Sequence, residues 1–422
     1  MDCFFKVNRG VPVAVLFFLF PLGMSSVRHY SSTFLVFMVL VALWGGLNYR
    51  CRLSAQYLQI IYAFLAFLVV ISLSLFNAHD LEEGFRVLGK MAYFTVLIPL
   101  YYAARKIPGS LVCNFIWGLV CAAPINFIIA LYSVYFQEMT RAQGFYHPII
   151  FGDLSLLGAM ILTVFLFSGY PKDRLLSFFG PISIVCYLLS CYLSGTRGAW
   201  ATLPVAMSVA ILLYRNSLHK KLVAQIMIGL IFLSGSIYGL QGILPDRALS
   251  PVQGKGVVLS TLNNISDFRD GENLNSSIGQ RFLMWGISLE MMKSNPLLGS
   301  GLGGFEEKVK RLQRDDQTAL NRAWPHAHSI YFEFLGTTGV LGLLALLVSL
   351  FIVPASFFVK SLSGSKLQNF SASAGLVFLV CFAVFGVSEC WLFRSPMLIT
   401  YIVCLFVFTI GCSLEKNNIP AG

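Results

Sequence analysis

The side chains able to do chemistry in this 422-residue chain gather at one boundary, where its longest polar stretch meets a long apolar one. His326 and His328 sit two residues apart in Trp324-Pro-His-Ala-His-Ser-Ile-Tyr-Phe-Glu-Phe-Leu-Gly-Thr-Thr-Gly-Val-Leu-Gly342, whereas His29, His79, His147 and His219 stand singly. An imidazole exchanges a proton near neutral pH, so a histidine here can serve as a general base. The plainer reading is a helix-start histidine bonded to backbone or water. Arg197, in Ser194-Gly-Thr-Arg-Gly198, and Arg281, ahead of a glycine-rich segment, each present a planar donor fork matched to phosphate oxygens. Their plainer readings are an anchor at the membrane border and a solvated surface charge. Arg141, Lys90 and Arg394 are further cations beside apolar stretches, where a charge is costly unless paired or functional.

Other readings of these residues are weaker. Two histidines with Asp315 or Asp316 make a poor zinc signal, so no metal is expected. Glu333, five residues after His328, is expected to pair with an arginine, with orientation of the histidine as the alternative. Asn295-Pro-Leu-Leu-Gly-Ser-Gly-Leu-Gly-Gly-Phe305 suggests a nucleotide loop but lacks the preceding strand of a dinucleotide fingerprint and the Lys-Ser or Lys-Thr ending of a Walker loop. A tight turn that lets two helices pack closely is expected, with a nest of phosphate-binding amides as the alternative.

Composition dictates what positions these residues. With 57% hydrophobic and 12% charged residues, the chain cannot hide its apolar side chains in one water-facing globule. Twelve apolar runs are long enough to cross a hydrocarbon core of about 30 Å, at 11–27, 33–49, 55–76, 86–104, 111–136, 148–169, 176–194, 198–214, 221–239, 329–358, 370–389 and 395–413. The expected fold is an all-α polytopic membrane protein of about 12 transmembrane helices, because backbone groups in lipid must be bonded within the segment. The first run, after Lys6 and Arg9, is expected to be a retained anchor rather than a cleaved signal peptide.

Orientation follows from Lys and Arg in the short connections. A cytoplasmic N-terminus puts fourteen inside (Lys6, Arg9, Arg50, Arg52, Arg105, Lys106, Lys172, Arg174, Arg215, Lys220, Lys221, Lys360, Lys366 and Lys416) and five outside (Arg28, Arg86, Arg141, Arg197 and Arg394). The net charge of +11 then reflects topology, and no nucleic-acid partner is needed to explain it. This divides the chain into helices 1–9 over 1–240, one long periplasmic loop over 241–328, and helices 10–12 with a short cytoplasmic tail over 329–422. All ten cysteines lie in or beside apolar runs, which argues against a disulfide-stapled outer domain. Within the loop, Ser276 or Ser277 caps an expected helix whose Phe282, Trp285, Leu289 and Met292 stripe faces the bundle or the lipid interface, and Pro296 stops it. A second amphipathic helix is expected over about 305–317, lying on the membrane surface through Phe305, Val309 and Leu312.

Arg281 with Trp285, then the glycine-rich segment, then His328-Ser329 followed by Gly336, Gly339 and Gly342, resembles the O-antigen ligase and polymerase superfamily of bacterial envelopes. Ser194-Gly-Thr-Arg-Gly198 is similar to its other arginine motif, and the likeness covers roughly 140–410. The resemblance implies an inverting, metal-independent glycosyltransferase that works without a cofactor at the outer face of the inner membrane. Its donor would be a glycan on undecaprenyl diphosphate and its acceptor a lipid A-core hydroxyl, with His328 as base and Arg197 and Arg281 on the diphosphate. His326, Arg141 and Glu333 are secondary site candidates. A polysaccharide polymerase of the same superfamily is the first alternative, then a protein O-oligosaccharyltransferase, then a 12-helix solute transporter, then a scaffolding protein. Transporters commonly carry internal repeats, and no obvious repeat of the loop motifs joins the two halves.

Overall fold

The computed structural model describes residues 11–24, 26–48, 53–105, 107–170, 173–216 and 276–413. Every regular element among them is helical: α1 (Val11–Met24), α2 (Tyr30–Asn48), α3 (Ala55–Leu73), α4 (Leu81–Met91), α5 (Leu97–Ala104), α6 (Pro108–Tyr135), α7 (Pro148–Ser168), α8 (Arg174–Ser194), α9 (Arg197–Tyr214), α10 (Ser277–Ser294), α11 (Phe305–Arg314), α12 (Ile330–Leu347), α13 (Val353–Ser361), α14 (Lys366–Ser388) and α15 (Ser395–Cys412). Nine stretches of the described residues are long and apolar enough to cross a membrane, α4 with α5 and α12 with α13 each counting once. Two shorter apolar helices, over 13–24 and 30–45, match the first two expected runs. The ninth expected run, 221–239, and most of the first half of the loop lie outside the described residues.

The helices start and stop where side chains dictate. Asp173 caps α8 through Leu175 and Leu176 N–H, and Ser365 caps α14 in a reciprocal capping box with Gln368. α15 runs through the centre, buried along nearly its whole length by α14, α6, α2 and α5. Such all-round burial suits a helix with no polar face. At its start Trp391 stacks on Tyr401 with ring centroids 5.1 Å apart, and its indole N–H donates to Phe382 O at 3.0 Å. That buried pair fixes the 389–394 turn between α14 and α15. The cysteines at 113, 121, 186, 191, 381, 390, 404 and 412 are free thiols in or beside the bundle.

The glycine-rich segment has a structural use that spacing did not disclose. α12 is broken at Gly339, whose φ of 66° and ψ of −168° are not helical. The break frees backbone groups, and the segment bonds to them from both sides. Ser300 and Gly301 N–H donate to Gly336 O at 3.0 Å and Thr337 O at 2.9 Å. Val340 and Leu341 N–H donate to Pro296 O at 2.9 Å and Leu297 O at 3.3 Å. Glycine is needed because a Cβ at Gly301, at φ 101°, would sit 2.3 Å from Ala78 Cα. The close-packing turn is therefore the correct reading. The phosphate nest is not, since the Gly299, Ser300, Gly301 and Gly304 amides all donate within the protein.

One expectation about the loop helices, that for α11, needs correction. In α10, Gly279, Gln280, Met284, Ile287, Ser288 and Met291 are buried; of the expected stripe, Trp285 stacks on Phe332 of α12 with ring centroids 4.7 Å apart, Phe282 and Met292 are half-buried and Leu289 is exposed. Ser288 lies against Gly336 of α12, where the missing Cβ allows close approach. α11 ends at Arg314, three residues before the expected Gln317, and does bury Phe305, Val309 and Leu312. It packs them against Met284, Ile287 and Met291 of α10.

Candidate active site

His328 lies in the turn before α12 and is held from three directions. Ala327 N–H donates to Glu333 Oε2 at 2.8 Å, His328 N–H donates to His326 Nδ1 at 3.3 Å, and Ser329 Oγ donates to Gly386 O of α14 at 3.1 Å. The turn forces His328 to φ 50°, in the left-handed region that few non-glycine residues occupy. Such strain is of order 1–3 kcal/mol and persists where surrounding contacts over-determine it, often at functional sites. Glu333 acts on the backbone of this turn, accepting from Ala327 rather than pairing with an arginine.

The residue that sequence spacing missed is Glu389, which caps α14 in extended conformation and is 2% exposed. Its Oε2 lies 3.5 Å from His328 Nδ1, and its Oε1 accepts from Arg394 Nε at 3.2 Å. Burial alone would raise the Glu389 carboxyl, but His328 and Arg394 outweigh it and hold the group at about 2. It is an anion at any working pH. With Nδ1 turned to this carboxylate, Nε2 is the His328 nitrogen free to take a proton. Burial and then the neighbouring His328 push His326 down to about 3, so its ring is neutral.

The arginines form the second half of the site. Gly195, at φ 61°, ends α8, and Arg197 starts α9 two residues later. The Thr196 hydroxyl donates to Pro148 O at 3.0 Å, leaving the first turn of α9 without a side-chain cap. Uncapped amides and the helix dipole favour an anion there. Arg141, in the connection between α6 and α7, donates from Nε to Ser194 O at 2.7 Å, which holds it beside that turn. Arg281 donates to Ser277 Oγ at 3.0 Å, while its buried Nε has no partner among the described residues. Burial first, then Arg197 and Arg281, lower the pKa of Arg141; burial also lowers that of Arg281, with Glu389 opposing and Arg197 reinforcing. These three like charges lie within electrostatic range of one another, and no described carboxylate is at ion-pair distance from any of them.

His147 links the halves. It caps α7 by accepting from Ile149 N–H at 3.3 Å, and its pKa is lowered first by burial and then by Arg141, while Glu389, Arg394 and His328 also act on it. Lys90 donates to Phe393 O at 3.2 Å, in the 389–394 turn that carries Glu389 and Arg394. For a metal, the fold supplies a third ligand type that Asp315 and Asp316 were considered for, since His326, His328 and Glu389 place one ligand atom each within 4.8 Å of one another. The arrangement can thus accept a proton at one end and stabilise a departing anion at the other.

Comparison with known proteins bears on the same segment. Residues 182–347, which contain Arg197, Arg281 and His328, match the family model described as O-antigen ligase. An uncharacterized protein of Haemophilus influenzae is 23% identical over 375 residues, covering 86% of this chain and 88% of its own length.

Proposed function

From membership of the O-antigen ligase/polymerase superfamily, which the family match supports, we propose that this membrane protein is an inverting glycosyltransferase of the O-antigen ligase type. It moves a glycan from undecaprenyl diphosphate to a lipid A-core hydroxyl, at the periplasmic face of the bacterial inner membrane. The observation that carries the reading is the pairing of His328 with a buried carboxylate beside three arginines that lack one.

In this reading His328 Nε2 removes the proton of the acceptor hydroxyl as its oxygen attacks the anomeric carbon. The bond from that carbon to the diphosphate oxygen breaks on the opposite face, so the configuration inverts. The proton ends on His328, where Glu389 stabilises the imidazolium, and the electron pair ends on the diphosphate, where Arg197, Arg281 and Arg141 stabilise the charge. Glu333 and Arg394 position the base and its carboxylate. No step consumes a nucleotide, because the diphosphate is the leaving group.

The test is reconstitution of purified protein with lipid-linked donor and lipid A-core acceptor, in EDTA and without nucleotide. Joined product with inverted linkage supports the ligase. Product formed only when a second lipid-linked repeat replaces lipid A-core points to the polymerase, and donor movement across vesicles without product points to a transporter.

A further inference from the structure

His326 is hard to explain by the transfer chemistry alone. It is 3% exposed, and its Nε2 is buried with no hydrogen-bond partner among the described residues. Buried polar atoms are rarely left so, and each exception calls for a cause. The atoms offered by His326, His328 and Glu389 lie within 4.8 Å of one another. We propose that these three residues form a site for Zn²⁺ or a similar borderline divalent cation, and that its occupation withdraws His328 from proton transfer. The second half of this inference rests on the transferase reading; the first does not.

The donor set selects the class of ion. Two imidazoles and one carboxylate suit zinc and its neighbours, whereas Mg²⁺ and Ca²⁺ prefer all-oxygen shells. Donors in a tetrahedral zinc site, with bonds of about 2.0–2.2 Å, stand roughly 3.4 Å apart. The trio must therefore contract by at most about 1.4 Å at its widest separation, a movement within the reach of side-chain rotation. Ligation through His326 Nε2 sends its proton to Nδ1 and costs the long 3.3 Å bond from His328 N–H. Glu389 needs no reorientation: Arg394 holds Oε1, and Oε2 already faces His328. An outer partner that fixes a ligating carboxylate is common in metal sites.

Charge limits the affinity. Arg394 neutralises the one anionic ligand, and Arg281 acts on Glu389 from farther away. Binding should accordingly fall well short of a structural zinc site, which makes it reversible and suited to inhibition rather than folding. A fourth position stays open to water or to the acceptor hydroxyl. A metal held between Glu389 Oε2 and His328 Nδ1 sends the imidazole proton to Nε2, the nitrogen that would otherwise accept the proton of the acceptor hydroxyl.

Two measurements on the full-length protein in nanodiscs decide this. After stripping with EDTA and equilibration with Zn²⁺, metal analysis should find a single ion per chain in the wild type. It should be lost in His326→Ala and in Glu389→Gln, both checked for wild-type helicity and a single size-exclusion peak. The visible spectrum of Co²⁺ gives a second readout of the same ligands. No zinc in the wild type, or equal zinc in both variants, overturns the site. In the transfer assay, the wild type should be active in EDTA, at least about tenfold slower in saturating Zn²⁺, and restored by chelation. Stoichiometric zinc with unchanged transfer, or transfer that requires zinc, overturns the inhibitory role. Zinc binding by a protein that never forms product leaves the site standing and refutes the transferase reading instead.

Discussion

Replacing Glu389 by glutamine keeps the side-chain shape and removes one charge from contacts of 3.5 Å to His328 and 3.2 Å to Arg394. The consequence falls on the transition state, because the carboxylate stabilises the positive charge that His328 acquires with the acceptor proton. Two unit charges about 4 Å apart interact by about 4 kcal/mol at an effective dielectric of 20. Arg394 shares the carboxylate and cancels part of that, so about half, or about 2 kcal/mol, is the working figure for Glu389→Gln. This corresponds to a rate loss of roughly 30-fold. Donor affinity should hold, since losing a negative charge near Arg281 favours a bound diphosphate. Single-turnover transfer with saturating donor isolates the step, and donor binding is measured separately with unreactive acceptor. A glutamine variant within about threefold of the wild-type rate would refute the assignment of Glu389 as the carboxylate that supports the base.

Three further outcomes follow from the same geometry. Arg281→Lys keeps a charge but loses the fork, and a deficit on the order of 2.7–4 kcal/mol in transition-state stabilisation is expected from kcat/KM. Gly301→Ala forces a Cβ into Ala78 backbone at φ 101° and should lower thermal stability by at least about 1–3 kcal/mol, while Gly286→Ala, whose Cβ meets nothing within 4 Å, should be neutral or stabilising. His326 is held near 3 in the folded protein against about 6.5 unfolded, so the unfolded chain binds the extra proton and stability falls as pH drops below 6.5. Between pH 7 and pH 5 that loss is about 2 kcal/mol, and thermal melts in EDTA should show it in the wild type and not in His326→Gln.

How much of this was legible beforehand depended on the range of the interaction. The apolar runs within the described residues, nine of them long enough to cross a membrane, were visible because lipid demands about 20 apolar residues per crossing, a constraint local to each run. The buried side of α11 was visible for the same reason, since Phe305, Val309 and Leu312 are the apolar positions of a charged helix. The apolar stripe of α10 was visible too, but the deeper burial of Met284, Ile287, Ser288 and Met291 depends on α11 and on Gly336, which lie on other elements. The splice of the glycine-rich segment into the break at Gly339 joins positions some forty residues apart, and periodicity carries no information about that. Glu389 was missed because its partner His328 is on another element. The pairing exists only because Ser329 ties the turn to α14.

The most direct test of the central claim is transfer by His328→Ala in the reconstituted system, with donor and acceptor at saturation and folding checked by size exclusion. The account predicts that the variant inserts, binds lipid-linked donor as the wild type does, and loses roughly 10²- to 10⁴-fold in the rate of joining it to acceptor, so that donor accumulates. Wild-type rates from His328→Ala would contradict the account and leave the strained histidine as a cap on α12.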